Sequence, residues 1–545
     1  MRSTTALNTA DTRPDKVSAA HLLQTANAYR DAGEPALAEQ RYREALDSAA
    51  HSVEAHYRLA LLLQNQARAG EALPLIDAAV VAQPGNPALH LTRAMILASL
   101  GKHLEALESM AAGCRIHPAN ADTLYNVGLL YAELCCPAQV EVVARRLLAQ
   151  RPDWPAAHYL LVRALTALYG DPVELDARYA HLVKTDPLNP ALRFARGLQQ
   201  LRTGDYRAGW EAQEWRWEIE PVKSSRFLCA QPRWAGGSLE GRKLLVTGEQ
   251  GFGDVLQFVR YLPLLISQGA QVTLRLDANR ASLARLLRTI DGLRVIAEAT
   301  PLPPFDLHCP LASLPYVFDT TPDTIPATPY LHVDEADVAA WRARLVGMPR
   351  PWTGVCWAGS AEHDHNIRRS LPLCTGSRYH ADRSLREQRI GAASAVIASA
   401  CGLEELNAAA VRDAAPAAYT MEPLLRKLDG SIISLQIGPH AQDFEELPAG
   451  LRARSIAPLA DTCDFYDTAC LVRALDQVIT VDTSVAHVAG AIGQRGLIIK
   501  PAAPEWRWIE QEGKPGRSAW YPNLALMEQR AIAEFHPSSR DWGGR

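Results

Sequence analysis

A spacing of 34 residues constrains the first two hundred residues more tightly than any other feature of the chain. Pro84, Pro118 and Pro152 follow one another at that interval. Small residues keep the same register: Ala26, Ala60, Ala94 and Gly128 fill one position, and Ala38, Ala72 and Ala106 another. Tyr29, Leu63, Leu97 and Tyr131 occupy a third, large and apolar position. This pattern predicts two helices per unit, with small residues where helices cross closely. The prolines end the second helix of a unit because proline cannot continue the hydrogen-bond ladder. Units are expected at about 19–52, 53–86, 87–120 and 121–154. A fifth, at roughly 155–188, is interrupted at "LYGDPVELD", and a sixth starts near Asn189.

A repeating two-helix unit of this length is the tetratricopeptide pattern, so residues 19–215 are expected to stack into a right-handed solenoid with a concave face. Such a solenoid grips a protein segment and by itself catalyses nothing. His56, His90 and Tyr125 are candidates to line the concave surface, with ordinary packing or solvent exposure as the alternative for each.

The full chain, 545 residues, is too long for one core, and two to four domains are expected. A net charge of −4 argues against a general nucleic-acid binder. The first twenty residues lack the continuous apolar core of a secretory leader, and no apolar run is long enough for a transmembrane segment. The ten cysteines form no Cys-x-x-Cys pair, so they read as reduced, packed thiols of a cytoplasmic protein without structural zinc.

A Pro/Gly-punctuated linker is expected at 216–241. Beyond it, "KLLVTG", "QVTLRLD" and "LRVIA" read as strands alternating with helices, and "WTGVCWAG", "GSIISLQIG" and "LDQVITVD" repeat the alternation. Two Rossmann-like halves are therefore expected, 242–350 and 351–545, facing across a cleft lined by the carboxyl ends of mostly parallel strands. The second carries an insertion near 374–420 without a convincing core pattern. A lid, an acceptor-binding insert and an unstructured loop all fit that segment.

"GEQGFGDVLQFVRYLPLL" places Gly248, Gly251 and Gly253 around Asp254 at a strand-to-helix junction. The glycines allow a tight turn and leave the helix start open, where the helix dipole favours a carboxylate. Asp254 reads either as a helix cap or as a general base aimed across the cleft. The spacing is not the dinucleotide fingerprint.

The order of motifs resembles bacterial tetratricopeptide proteins with a C-terminal GT-B glycosyltransferase domain similar to the heptosyltransferases. "WAGGSLEGRKLLVTGEQGFGDVLQFVRYLPLL", "GVCWAGSAEHDHNIRRSLPL", "ISLQIG", "DFYDTACLVRALDQVITVDTSVAHVAGAIG" and "EWRWIEQEGKPGRSAWYPNLALMEQR" carry that resemblance. It implies an inverting transferase with a nucleotide-sugar donor as its substrate, no cofactor and no metal. Asp254 would be the catalytic base. Asp482, Thr483 and His487 would bind the donor diphosphate, and Arg369 would clamp phosphate through its guanidinium fork. Gly251, Gly253, Trp357, Asn366, Ser370 and Gln436 complete the implied donor site. The solenoid suggests a protein acceptor, with glycan or lipopolysaccharide assembly as an alternative. From a different class comes a noncatalytic protein-interaction scaffold on a degenerate transferase domain.

Overall fold

The computed structural model describes residues 18–49, 52–168, 170–220, 222–326, 328–359, 366–375, 377–414, 419–459, 463–501 and 505–535. The N-terminal stretch 1–17, the 360–365 part of the second-half entry motif and the terminal 536–545 lie outside the described residues. The chain divides into two compact units, one of residues 1–134 with 389–408, the other of 135–388 with 409–545.

Seven helices make up the repeats of the first unit: α1 (Ala19–Asp31), α2 (Pro35–Ser48), α3 (Val53–Asn65), α4 (Ala69–Ala82), α5 (Pro87–Ser99), α6 (His103–Ile116) and α7 (Ala121–Glu133). The first helix of each pair begins on a polar cap. Ser18, Ser52, Asn86 and Asn120 each accept a backbone N–H from the opening turn, which satisfies one of the four amides a helix start leaves unpaired. Pro84 and Pro118 stand just beyond the ends of α4 and α6, where no further ladder bond is needed. The in-register alanines explain the close packing: Ala26, Ala38, Ala60, Ala72 and Ala106 are all completely buried. Tyr42 threads its ring between them, and its hydroxyl donates to Asn27 Oδ1 at 2.6 Å.

The segment near 374–420 is mostly helical where it is described. One helix spans Arg378–Cys401 and a second Glu405–Ala414. Residues 389–408 belong to the first unit, although the chain reaches them from the second.

The second unit opens with α8 (Pro137–Gln150), α9 (Pro155–Leu168), α10 (Pro172–Thr185), α11 (Pro190–Arg202) and α12 (Tyr206–Gln213). A Cβ on Gly197 would stand 2.5 Å from the Ala212 methyl, and one on Gly209 would lie 2.6 Å from Leu201 Cγ, so glycine is what lets α11 and α12 cross. A four-stranded parallel sheet follows, in the order β3 (Arg294–Ala297), β2 (Gln271–Leu276), β1 (Lys243–Thr247), β4 (Leu307–Pro310). A second sheet has eight strands. Its parallel part runs β12 (Leu524–Glu528), β9 (Gly496–Lys500), β8 (Gln477–Val481), β5 (Trp352–Cys356), β6 (Ser431–Ser434) and β7 (Ser455–Ile456). β10 (Glu510–Gln511) and β11 (Lys514–Ser518) extend it antiparallel beyond β12. Strands buried on both faces read as continuous apolar runs, as "LLV" in β1 and "VITV" in β8 do. Among the described residues no helix is long and apolar enough to cross a membrane.

Trp506, Trp508, Trp520 and Tyr521 are buried in the second unit. Trp210 of α12 meets Trp506 edge-on at 5.2 Å between centroids and donates its indole N–H to the Thr320 carbonyl at 2.9 Å. The aromatic cluster is packing, and it ties the last repeat helix to the α/β region.

Candidate functional site

The carboxyl ends of β1 and β8 each lead into a short turn and a helix, and the two helices meet. After β1, Gly251 precedes α13 (Phe252–Phe258). After β8, Asp482 and Thr483 precede the Ser484–Ala491 helix. A Cβ on Gly253 would stand 2.8 Å from Cδ2 of His487, so the absence of a side chain at Gly253 is what admits the imidazole. Asp254, Gly253 and His487, singled out separately in the sequence, are thus brought together.

Asp254 is half-buried and both of its oxygens are engaged. Oδ2 accepts the Gly251 N–H at 2.8 Å, closing the first turn of α13, and Oδ1 takes a short ion-paired hydrogen bond from the Arg507 guanidinium. Arg507 also donates from Nε to Gln257 Oε1 at 3.0 Å and pairs with Glu505 at 2.5 Å. Burial alone would weaken its charge, but Asp254, Glu505 and Asp482 together hold the guanidinium firmly protonated. Arg507 escaped the sequence reading. Its only signal was a charge between two tryptophans in "EWRWIEQ", where the aromatics drew the attention.

Asp482 is buried, and that burial pushes its carboxyl up to about 6, with the nearby Glu505 charge adding to the shift and Arg369, Trp508 and Arg507 opposing it. His487 is held well below its usual range by burial and then by the Arg507, Arg260 and Arg369 charges, so it is neutral. Its Nδ1 is 2.9 Å from the Tyr521 hydroxyl, and its ring lies against Trp508 and Tyr521. Arg260, fully buried, stacks on Tyr330, Trp520 and Tyr521 and donates to the Trp520 carbonyl at 2.9 Å.

The remaining candidates stand at the ends of β5 and β6. Gln436 turns its carbonyl oxygen inward and accepts the backbone N–H groups of Trp357 at 3.2 Å and Ala358 at 2.9 Å. Its amide donates to the Ile437 carbonyl at 3.1 Å. Trp357 is buried, with its indole N–H on Asp443. Ser370 accepts the Gly359 N–H at 2.9 Å and donates to Asn366 Oδ1 at 2.6 Å. The Thr483 hydroxyl is 3.0 Å from that of Thr480. All these groups spend their hydrogen bonds inside the fold. Arg369 differs, because its buried Nε has no partner among the described residues, and neither has Nε2 of Gln257. A Cβ on Gly359 would stand 3.0 Å from Arg369 Nε, which leaves backbone and guanidinium close together. Among the described residues no group of three or more His, Cys, Asp or Glu side chains is placed to hold a metal ion.

Comparison with known proteins identifies the repeats. The family model for the tetratricopeptide repeat matches residues 23–87 and 57–121. The chain is 24% identical to Protein FlbA of Caulobacter vibrioides over 469 residues, covering 82% of this chain and 70% of that protein. Among solved structures it is similar to a tetratricopeptide repeat protein from Parabacteroides merdae, 19% identical over 37% of this chain and 80% of that one, with a TM-score of 0.33. The Pseudomonas aeruginosa pilF protein is 16% identical over 38% of this chain and 96% of that chain, at a TM-score of 0.31. The N-terminal region is an all-helical tetratricopeptide solenoid, and a mixed α/β region with two sheets follows it.

The expectation of a sugar-transferring enzyme is corrected by these findings. The family model that matches is the tetratricopeptide repeat, and the curated relative that spans most of the chain, Protein FlbA, is not described as a transferase. Asp254 accepts the Gly251 N–H on one oxygen and pairs with Arg507 through the other.

Proposed function

We propose that this chain is a noncatalytic protein-interaction scaffold, whose tetratricopeptide repeats hold a protein partner and whose α/β half, a degenerate transferase-like fold, binds without turnover. The observation that carries the reading is the run of alanine-packed helix pairs, the first helix of each capped by Ser or Asn. These spend their polar groups on helix starts and leave apolar side chains on the surface. Leu37, Met95, Leu100 and Ile116 are exposed large apolar residues of the first unit, the kind of surface a partner covers. A photoreactive amino acid placed at Met95 in the full chain tests it. A discrete, saturable adduct with one cellular protein is expected. Adducts no more discrete than those of a chain photolysed after unfolding would sink the reading.

In the α/β half the candidate residues favour holding an anion. The unpartnered Arg369 Nε, the backbone at Gly359 and the opening amides of the Ser484–Ala491 helix suit a phosphate-bearing ligand such as a nucleoside diphosphate. The buried Trp508 beside His487 offers the readout. Titration with nucleoside diphosphates should quench tryptophan fluorescence in the wild type and not in Arg369→Ala. Equal quenching in both would reject this ligand site.

A further inference from the structure

The helix Arg378–Cys401 enters the first unit at Arg389 and presents one face to it. Ile390, Ala393, Ser394, Ile397 and Ala398 fall at i, i+3, i+4, i+7 and i+8, one helix face, and are all buried, Ser394, Ile397 and Ala398 completely. Leu403 and Leu406 continue the buried set past the turn. Three polar contacts fix the register of this face on α6 and α7. At the leading end Arg389 makes two hydrogen bonds to the Glu108 carboxylate, at 2.7 and 2.9 Å. In the middle the Tyr131 hydroxyl donates to Ser394 Oγ at 2.9 Å, and the Ser394 hydroxyl in turn donates to the Ile390 carbonyl at 2.8 Å. At the trailing end the Cys401 thiol is hydrogen-bonded to that of Cys114, which together with burial raises Cys114 well above the usual thiol range.

This arrangement has the form of a helix bound in a groove, read by anchors at every third or fourth residue. The docked segment is not one of the repeat helices, and it arrives from the insertion between β5 and β6 of the other unit. Its seam mixes the small Ala393, Ser394 and Ala398 with the branched Ile390 and Ile397, while the pair at its edge is half-exposed, the sort of contact that sets register more than strength.

We propose that residues 389–408 are a built-in occupant of a helix-binding surface on α6 and α7. The partner this surface accepts in trans is a helix of the same chemistry, with a narrow seam of small and branched apolar residues and an arginine at its leading end. The proposal rests on the scaffold reading above and adds the partner's chemistry and its control. The segment is tethered at both ends, so it competes at high effective concentration, and a partner binds only when the segment is released.

The test uses the full chain and a fluorescent synthetic peptide spanning residues 386–410. Wild type should bind the peptide at least tenfold more weakly than Ile397→Asp, whose own segment cannot seat a charge in the seam. Adding Glu108→Arg should weaken peptide binding several-fold, and an Arg389→Glu peptide should restore it. The milder Arg389→Glu chain serves if Ile397→Asp does not fold, and it should show faster amide exchange across 389–401 together with gained peptide binding. An undocked, folded chain that binds no peptide overturns the proposal, as does a released segment that melts α6 and α7 with it. A discrete adduct at Met95 with no peptide binding would reject this inference and leave the scaffold standing. Peptide binding with no adduct would do the reverse.

Discussion

Asp413 caps a helix whose first residue is Pro137: its carboxylate accepts the backbone N–H of Ala138 at 2.9 Å and that of Gln139 at 3.2 Å. The residue in the usual capping position, Cys136, makes no such bond. A side chain from the insertion therefore completes a repeat helix. Two amides of α8 would otherwise be unpaired in a place that is only partly open to water.

Removing that cap has a defined cost. Asp413→Ala should destabilise the second unit by about 1–2 kcal/mol, the range for losing a capping carboxylate with two amide bonds. Asp413→Asn keeps an acceptor and should recover most of it. Urea unfolding of the two variants followed by far-ultraviolet circular dichroism reads the difference, and equal midpoints for wild type and Asp413→Ala would show that water replaces the carboxylate at no loss.

Gly253→Ala tests the close meeting of α13 with the Ser484–Ala491 helix. The added methyl would stand 2.8 Å from the buried His487 ring, which Trp508 and Tyr521 hem in. Overpacking of this kind costs about 1–3 kcal/mol. Trimming the ring removes the clash, so in a His487→Ala background the same glycine substitution should cost several-fold less. A double-mutant cycle on thermal unfolding measures the coupling, and an additive cycle would mean that the helices part without strain.

Arg507 offers a larger effect. Replacing it with methionine removes the cation that pairs with both Asp254 and Glu505 and strips Gln257 of a donor. Breaking such a pair from one side costs about 3–5 kcal/mol. Arg507→Lys should lose less, because it keeps the charge but cannot reach all three acceptors at once. The neighbouring tryptophans report the local transition, and a Met variant as stable as wild type would show that the carboxylates simply turn to solvent.

The repeats were legible because their signal is periodic and chemical at once: the alanines must be small where helices touch, and the prolines must fall outside the ladder. β1, β2, β3, β5, β6 and β8 were legible because buried parallel strands read as apolar runs, whereas β7 and β9 to β12, which lie in the same eight-stranded sheet, were not read as strands. The Arg378–Cys401 helix was not legible either, since its buried face holds Ala393, Ser394 and Ala398, and an alternation of alanine and serine hardly differs from a solvated loop in hydrophobic pattern. At the candidate site the sequence picked out Asp254, Asp482 and His487, which do converge. It left Asp254 as either a helix cap or a general base, and nothing local shows that Arg507, 253 positions away in the chain, pairs with it. Nor could it show that Gln436 faces inward, since that follows from where β5 ends relative to β6.

Acid dependence follows from two buried carboxyls. Burial pushes Asp482 and Asp413 up to about 6 each, and in Asp413 it outweighs the two amide bonds that oppose it. A carboxyl raised in the folded state holds its proton there after the unfolded chain, with an ordinary value near 3.9, has released it. Between those values the native state carries the extra proton, so stability is highest below about pH 4 as far as these groups decide it, and falls as pH rises through 6. Each group contributes a loss of roughly 1–3 kcal/mol across that window. Asp482→Asn cannot titrate and should flatten its share of the slope, gaining on wild type at pH 7 relative to pH 4.5. Urea midpoints of the two chains measured at half-unit steps from pH 4 to pH 8 give the comparison directly. Parallel curves would mean that Asp482 is ionised across the whole range, with Arg369 and Arg507 outweighing its burial.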